Sequence, residues 1–212
     1  MKNHLLLALM VLLLGVTAFA QDDEMGKNEF SIWGGISPDS NTAIKGTGRT
    51  PDAVFGIVAV RYARRFNFSD KFNVKYTADF VPIAFLNYPD ISLGGLTCTT
   101  CPLIAFPTRP THHGFGAAPL GGQVNFRPKK KYQPFIGTSG GFLYMNKRTP
   151  NYFGTRFQFT ADVGGGVEIR LKDKKALTLG YKYYHISNGN RGTVNPGIDN
   201  NLFYVGYTFF SN

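Results

Sequence analysis

Apolar and polar residues alternate along most of the chain with a period of two, the spacing of strands that have one apolar face. The clearest case is 156–171, where Phe157, Phe159, Ala161, Val163, Val167 and Ile169 oppose Arg156, Gln158, Thr160, Asp162, Glu168 and Arg170. The stretch 72–85 repeats it, with Phe72, Val74, Tyr76, Ala78 and Phe80 against Asn73, Lys75, Thr77 and Asp79. Read this way, the chain predicts eight strands, at about 29–37, 53–66, 72–85, 114–126, 132–144, 156–171, 176–188 and 201–210. No segment sustains a helical period.

The connections alternate too. Short polar turns fall at 67–71, 127–131 and 172–175, and longer segments at 38–52, 87–113, 145–155 and 189–200. Short turns on one rim and long loops on the other is the pattern of an outer-membrane barrel, and only closure leaves no unpaired edge in lipid. The expected fold is therefore all-β, an eight-stranded antiparallel transmembrane β-barrel over residues 29–212.

Periodicity alone does not say which face is inside, since a soluble periplasmic lipid-carrying barrel would turn its apolar face inward. Three features favour the membrane orientation. Aromatic residues recur near strand ends (Tyr62, Phe66, Tyr132, Tyr144, Tyr183, Tyr184, Tyr207, Phe209, Phe210), as interfacial girdles require. The polar face carries both charge signs, at Arg61, Lys75, Asp79, Asp162, Glu168, Arg170 and Lys182, which can pair across a narrow lumen. The chain also ends in an aromatic strand, although Ser211 and Asn212 follow Phe210.

Residues 1–20 combine Lys2, an apolar run from Leu5 to Leu14 and Ala18-Phe-Ala20, the pattern of a cleaved secretory signal, followed by a flexible acidic tail at 21–28. The formal charge is +10, or +9 without Lys2. For an exported chain this excess points to anionic lipid head groups and lipopolysaccharide, not to nucleic acid.

The last hairpin concentrates the chemistry. Leu177, Leu179, Tyr181, Tyr183, His185 and Ser187 share one face, and on the return strand Asp199 and Asn201 continue the face of Phe203, Val205 and Tyr207. A serine and a histidine two apart on one face have Cβ atoms about 7 Å apart, within reach of the imidazole. A carboxylate on the neighbouring strand can hold the other ring nitrogen, which is the geometry of an acyl-transfer triad. An even strand count puts this loop at the outer leaflet, which in Gram-negative bacteria is lipid A.

His185-Ile-Ser187-Asn188, followed by Asn195-Pro-Gly-Ile and Asp199, resembles the active-site segment of the outer-membrane lipid A 3-O-deacylase (PagL-type) family. The resemblance implies an esterase that removes a 3-hydroxyacyl chain from lipid A without a cofactor. It implies Ser187 as nucleophile, His185 as general base and then acid, and Asp199 as the acid where the family usually has glutamate. Oxyanion contacts would fall on Asn195 and on the amides of Asn188, Gly189 and Asn190.

Other motifs read as structural. Gly137-Thr-Ser139-Gly-Gly141 matches the hydrolase elbow pattern, but that elbow needs a strand running into a helix. Cys98 and Cys101 sit in a long external loop and read as a local disulfide. His112 and His113 lack further ligands at metal spacing and are expected to be solvated, so no metal is expected. A non-catalytic outer-membrane barrel with partner-binding loops is the competing reading, and oligomeric state is left open.

Overall fold

The computed structural model describes residues 26–40, 52–67, 69–94, 104–149, 154–193, 195 and 197–211. The expected leader, Cys98 and Cys101 lie outside these. Eight long strands form the wall: β1 (Asn28–Ser37), β2 (Val54–Arg65), β3 (Phe72–Asn87), β6 (Thr111–Phe126), β7 (Tyr132–Thr149), β8 (Thr155–Leu171), β9 (Lys175–Ser187) and β10 (Ile198–Ser211). They close in the order β1-β10-β9-β8-β7-β6-β3-β2, and β1 pairs antiparallel with both β2 and β10. Every strand edge of the wall is thereby satisfied. Two of the breaks in register fall where the sequence removes a ladder donor: one lies between Val81 and Ala84, spanning Pro82, and another between Ala117 and Leu120, spanning Pro119.

The long connection at 87–113 contains more than a loop. Two short strands, β4 (Asp90–Gly94) and β5 (Ile104–Thr108), pair with each other and not with the wall. β6 starts at Thr111, earlier than expected, and this corrects the reading of the histidines. The alternation of β6 turns His113 outward and His112 inward. His112 is buried, with Nδ1 2.9 Å from Thr149 Oγ1 and Nε2 3.3 Å from Tyr88 Oη.

The outer wall is apolar: Phe30, Ile32, Val60, Phe80, Leu120, Ile136, Val163, Phe203 and Val205 all expose their side chains. An apolar band that encircles a closed barrel is a surface only lipid matches. The interior has two zones. Towards the short turns it is ionic, with Lys75 bridging Glu29 at 2.7 Å and Glu168 at 3.1 Å, Arg65 on Glu29 and Arg170 on Glu168. Towards the long loops it is apolar, with Phe55, Ile57, Leu86, Leu143, Met145, Ile186, Ile198 and Leu202 buried together. Tyr184 and Phe210, expected in the girdle, point inward instead. Tyr184 stacks on Phe55, and Phe210 lies under the Arg170 guanidinium at 4.0 Å.

Tyr204 closes the middle by lying over its cross-strand partner Gly180, where a Cβ would come within 2.5 Å of the ring. Two gaps beside Arg61 and Tyr204 hold about 10 and 20 Å³. Among the described residues, side chains fill the middle of the lumen.

Candidate functional site

β9 and β10 carry the site at their long-loop ends. Two inward residues anchor this end of β9. Tyr184 is held against Phe55, and Ile186 pairs directly with Ile198, both almost fully buried. Alternation then forces His185 and Ser187 outward, onto the lipid-facing wall. The same pairing sets Asp199 directly opposite His185.

That register closes the contact. His185 Nδ1–H donates to Asp199 Oδ1 at 2.6 Å, with the imidazole about one-third exposed (31%) and the carboxylate buried (1%). Directly opposed side chains on antiparallel strands have Cβ atoms about 5 Å apart, so an aspartate suffices where a less direct pairing would need a longer acid. With Nδ1 committed to the carboxylate, Nε2 is left as the nitrogen that accepts a proton. The neighbouring groups fix the frame of β10: Asn200 Nδ2 donates to Tyr184 O, the Asn201 amide donates to Ser37 Oγ, and Tyr181 Oη donates to Asn201 Oδ1 at 2.6 Å.

Ser187 follows His185 by two positions on the same face and lies opposite Phe159 of β8. Among the described residues its hydroxyl is not hydrogen-bonded to His185. Catalytic hydrogen bonds commonly tighten only once substrate is bound.

Beyond Ser187 the chain turns sharply. Gly189 and Asn190 both adopt left-handed backbone, with φ of +61°, and the Arg191 amide returns to Asn188 O at 3.2 Å. The backbone N–H of Asn188 donates to Asn195 Oδ1 at 3.0 Å. This contact ties the two ends of the loop together. It also engages one of the amides expected to meet an oxyanion, leaving the Gly189 and Asn190 amides and the Asn195 side-chain NH2 of that expected set.

The elbow-like motif is structural. Ser139 lies inside the barrel on β7, and its hydroxyl donates to Asp162. The described residues contain no helix to follow it.

The sequence reading missed a furrow in the outer wall. It holds about 460 Å³ and is lined by Gly34, Ile36, Leu179, Phe203 and Val205, among others. Gly34 faces outward opposite Val205, so the wall lacks a side chain between Ile32 and Ile36. The signal was present in the sequence as a break in the apolar alternation Phe30, Ile32, Gly34, Ile36.

A family model described as lipid A 3-O-deacylase (PagL) matches residues 91–208. Among solved structures, the outer membrane enzyme PagL superposes with a TM-score of 0.57 at 12% identity, covering 84% of this chain and 98% of that one. Neisserial surface protein A (NspA) aligns over 88% of this chain and 99% of its own, with a TM-score of 0.45 at 11% identity. No curated protein matches the chain.

Proposed function

The chain belongs to the lipid A 3-O-deacylase (PagL) family, and on that premise we propose that it hydrolyses an ester-linked 3-hydroxyacyl chain of lipid A, with Ser187, His185 and Asp199 as its catalytic residues. It is an outer-membrane β-barrel, and the reading carries with it an export leader at residues 1–20. The observation that supports the mechanism best is the 2.6 Å bond from His185 Nδ1 to Asp199, on the lipid-facing wall beside Ser187.

In this mechanism the Asp199 carboxylate holds the imidazole in the tautomer whose Nε2 is basic. His185 removes the Ser187 proton as Oγ attacks the ester carbonyl carbon, and Asp199 stabilises the imidazolium that forms. The carbonyl electrons move onto oxygen, where the Asn195 amide and the Gly189 and Asn190 N–H groups are the candidate donors. Collapse breaks the bond to the sugar oxygen, and His185 Nε2–H protonates that oxygen as it leaves. Water, deprotonated by His185, then attacks the acyl carbonyl, and His185 returns that proton to Ser187 Oγ as the bond to the acyl group breaks and the fatty acid leaves. The acyl chain lies along the outer wall beside Tyr181, Tyr183, Phe203 and Val205, within reach of the Gly34 furrow. A polar cluster in a lipid-facing wall is costly, which favours a catalytic role over a structural one.

The test is mass spectrometry of lipid A from cells carrying the wild type or Ser187→Ala, each verified in the outer membrane. Loss of one 3-hydroxyacyl mass with the wild type alone supports the proposal. Identical lipid A from both, including after incubation in detergent, would favour a non-catalytic barrel whose long loops bind a partner.

A further inference from the structure

Arg191 is the cation of the site loop, and its placement is specific. Its guanidinium lies 4.8 Å from the Phe159 ring centre and 5.7 Å from that of Phe157, and those two rings meet edge to face at 5.1 Å. Phe159 is the cross-strand neighbour of Ser187. The turn presses onto the same ring: a Cβ on Gly189 would come within 2.9 Å of Phe159. The left-handed pair at Gly189 and Asn190 and the Arg191–Asn188 backbone bond hold the arginine there.

Among the described residues, no carboxylate forms an ion pair with Arg191, whereas Arg61, Arg65 and Arg170 all have one inside the lumen. Arg191 is exposed, on the outer wall, on aromatic residues that face lipid. A guanidinium stacked on rings keeps its in-plane N–H donors pointing sideways, free for a planar or tetrahedral anion. One strand spacing and one ring stack put it within about 10 Å of the Ser187 hydroxyl. An ester on a phosphorylated sugar brings a phosphate to that distance when its carbonyl is at Ser187.

We infer that Arg191 is a specificity-determining residue that grips a phosphate on the head group of the lipid being cleaved. This rests on the deacylase reading. Phosphate and guanidinium match in charge and in paired hydrogen-bond geometry, and the exclusion of water by the surrounding acyl chains strengthens the contact.

The experiment uses the full chain in detergent micelles, with wild type, Arg191→Lys and Arg191→Gln each assayed on bisphosphorylated lipid A and on the same lipid with its phosphates removed. Heat-modifiable migration checks that each variant is folded. Wild-type kcat/KM is expected to fall about tenfold when the phosphates are removed, as for loss of one charge-assisted contact. Arg191→Gln is expected to lose the same factor on the phosphorylated lipid and to match the wild type on the dephosphorylated one, with Arg191→Lys between them. Adding phosphatidic acid to the dephosphorylated substrate separates the sources. Recovery of the wild-type rate assigns the phosphate to a neighbouring lipid, and no recovery assigns it to the substrate itself. An Arg191→Gln enzyme slowed equally on both substrates, or on neither, would overturn the inference by making the side chain a brace for the loop or a bystander. A wild type that cleaves no form of lipid A, indistinguishable from Ser187→Ala, would instead remove the deacylase reading beneath it.

Discussion

Two clusters in this barrel contain a serine, a carboxylate and a basic side chain, and they differ in what their atoms have left to do. Inside, Ser139 donates to Asp162, Lys182 lies 3.1 Å from Asp162, and the ammonium sits over Trp33 and Tyr204 at 5.0 and 5.6 Å. Outside, Asp199 holds one nitrogen of His185, and the other nitrogen and the Ser187 hydroxyl face lipid. The inner serine is 7% exposed, inside the barrel with its hydroxyl committed to Asp162. The outer one stands where a lipid ester would lie. The residue types are nearly the same. On the proposed mechanism, access and uncommitted hydrogen-bonding capacity are what separate the reactive cluster from the structural one.

The largest effect that would break this comparison is loss of activity without loss of fold. Ser187→Ala is expected to lower turnover by 10³-fold or more, by analogy with the removal of a triad nucleophile, while heat-modifiable migration stays that of the wild type. Ser139→Ala, which alters the inner cluster, is expected to leave turnover within about twofold, as for a residue outside the reaction. Equal losses from both would mean that the outer cluster acts only through the fold.

Next in size is the mirror-image case, stability lost with the chemistry intact. Asp79 accepts two hydrogen bonds from Arg61, both at 2.7 Å, and one from Trp33 Nε1 at 3.1 Å. Asp79→Ala leaves a buried guanidinium unpaired and is expected to cost about 3–5 kcal/mol. The midpoint of urea unfolding in detergent would read this directly, and specific activity of the folded fraction is expected to stay at the wild-type level. A variant as stable as the wild type would show that the lumen network contributes specificity of closure and little net energy.

Asp199 sharpens the outer half of the comparison. Asp199→Asn cannot stabilise the imidazolium and is expected to cost about 10²–10⁴ in kcat. Asp199→Glu retains the charge but adds a methylene to a pair already in contact across the strands, and a loss of about tenfold follows from displacing the imidazole. Glutamate matching or exceeding aspartate would mean that the direct register is not what positions His185.

That register is where the sequence ceased to be sufficient. The alternation in 72–85 and 156–171 placed the strands and their inner and outer faces, because each wall residue meets either lipid or core. It also placed His185, Ser187 and Asp199 on one face. It did not place Asp199 directly opposite His185, since the pairing of β9 with β10 depends on the geometry of the intervening Gly- and Asn-rich loop. The β4–β5 hairpin escaped notice because strands of five residues are too short to establish a period. His112 was misplaced for a related reason, being the inward member of a pair on the extended end of β6. The two-zone lumen was hidden too: an inward Phe55 or Leu202 reads as an exception to a polar face until the residues across the barrel are seen to match it.

The smallest effect expected comes from the Gly34 furrow, and it tests whether the outer wall is a binding surface or only an anchor. A Cβ at Gly34 would meet Ile57 O at 3.6 Å and Val58 Cγ2 at 3.8 Å, ordinary contacts, so a larger residue can be accommodated there. Gly34→Leu replaces a flexible residue in a strand with one that lipid solvates well, and the barrel is expected to fold normally. The new side chain fills the furrow beside Val205 and Leu179. If the acyl chain uses that space, substrates with long acyl chains lose contact area and those with short chains do not. Two or three methylenes displaced from the furrow, at about 0.8 kcal/mol each, correspond to a loss of roughly 15- to 60-fold at most, and less where the chain can lie elsewhere on the wall. Competition between two lipid A preparations differing only in acyl length, followed by mass spectrometry of the released fatty acids, would read the change as a ratio. A uniform change across lengths would place the chain on another part of the wall and leave Gly34 as a feature of strand packing.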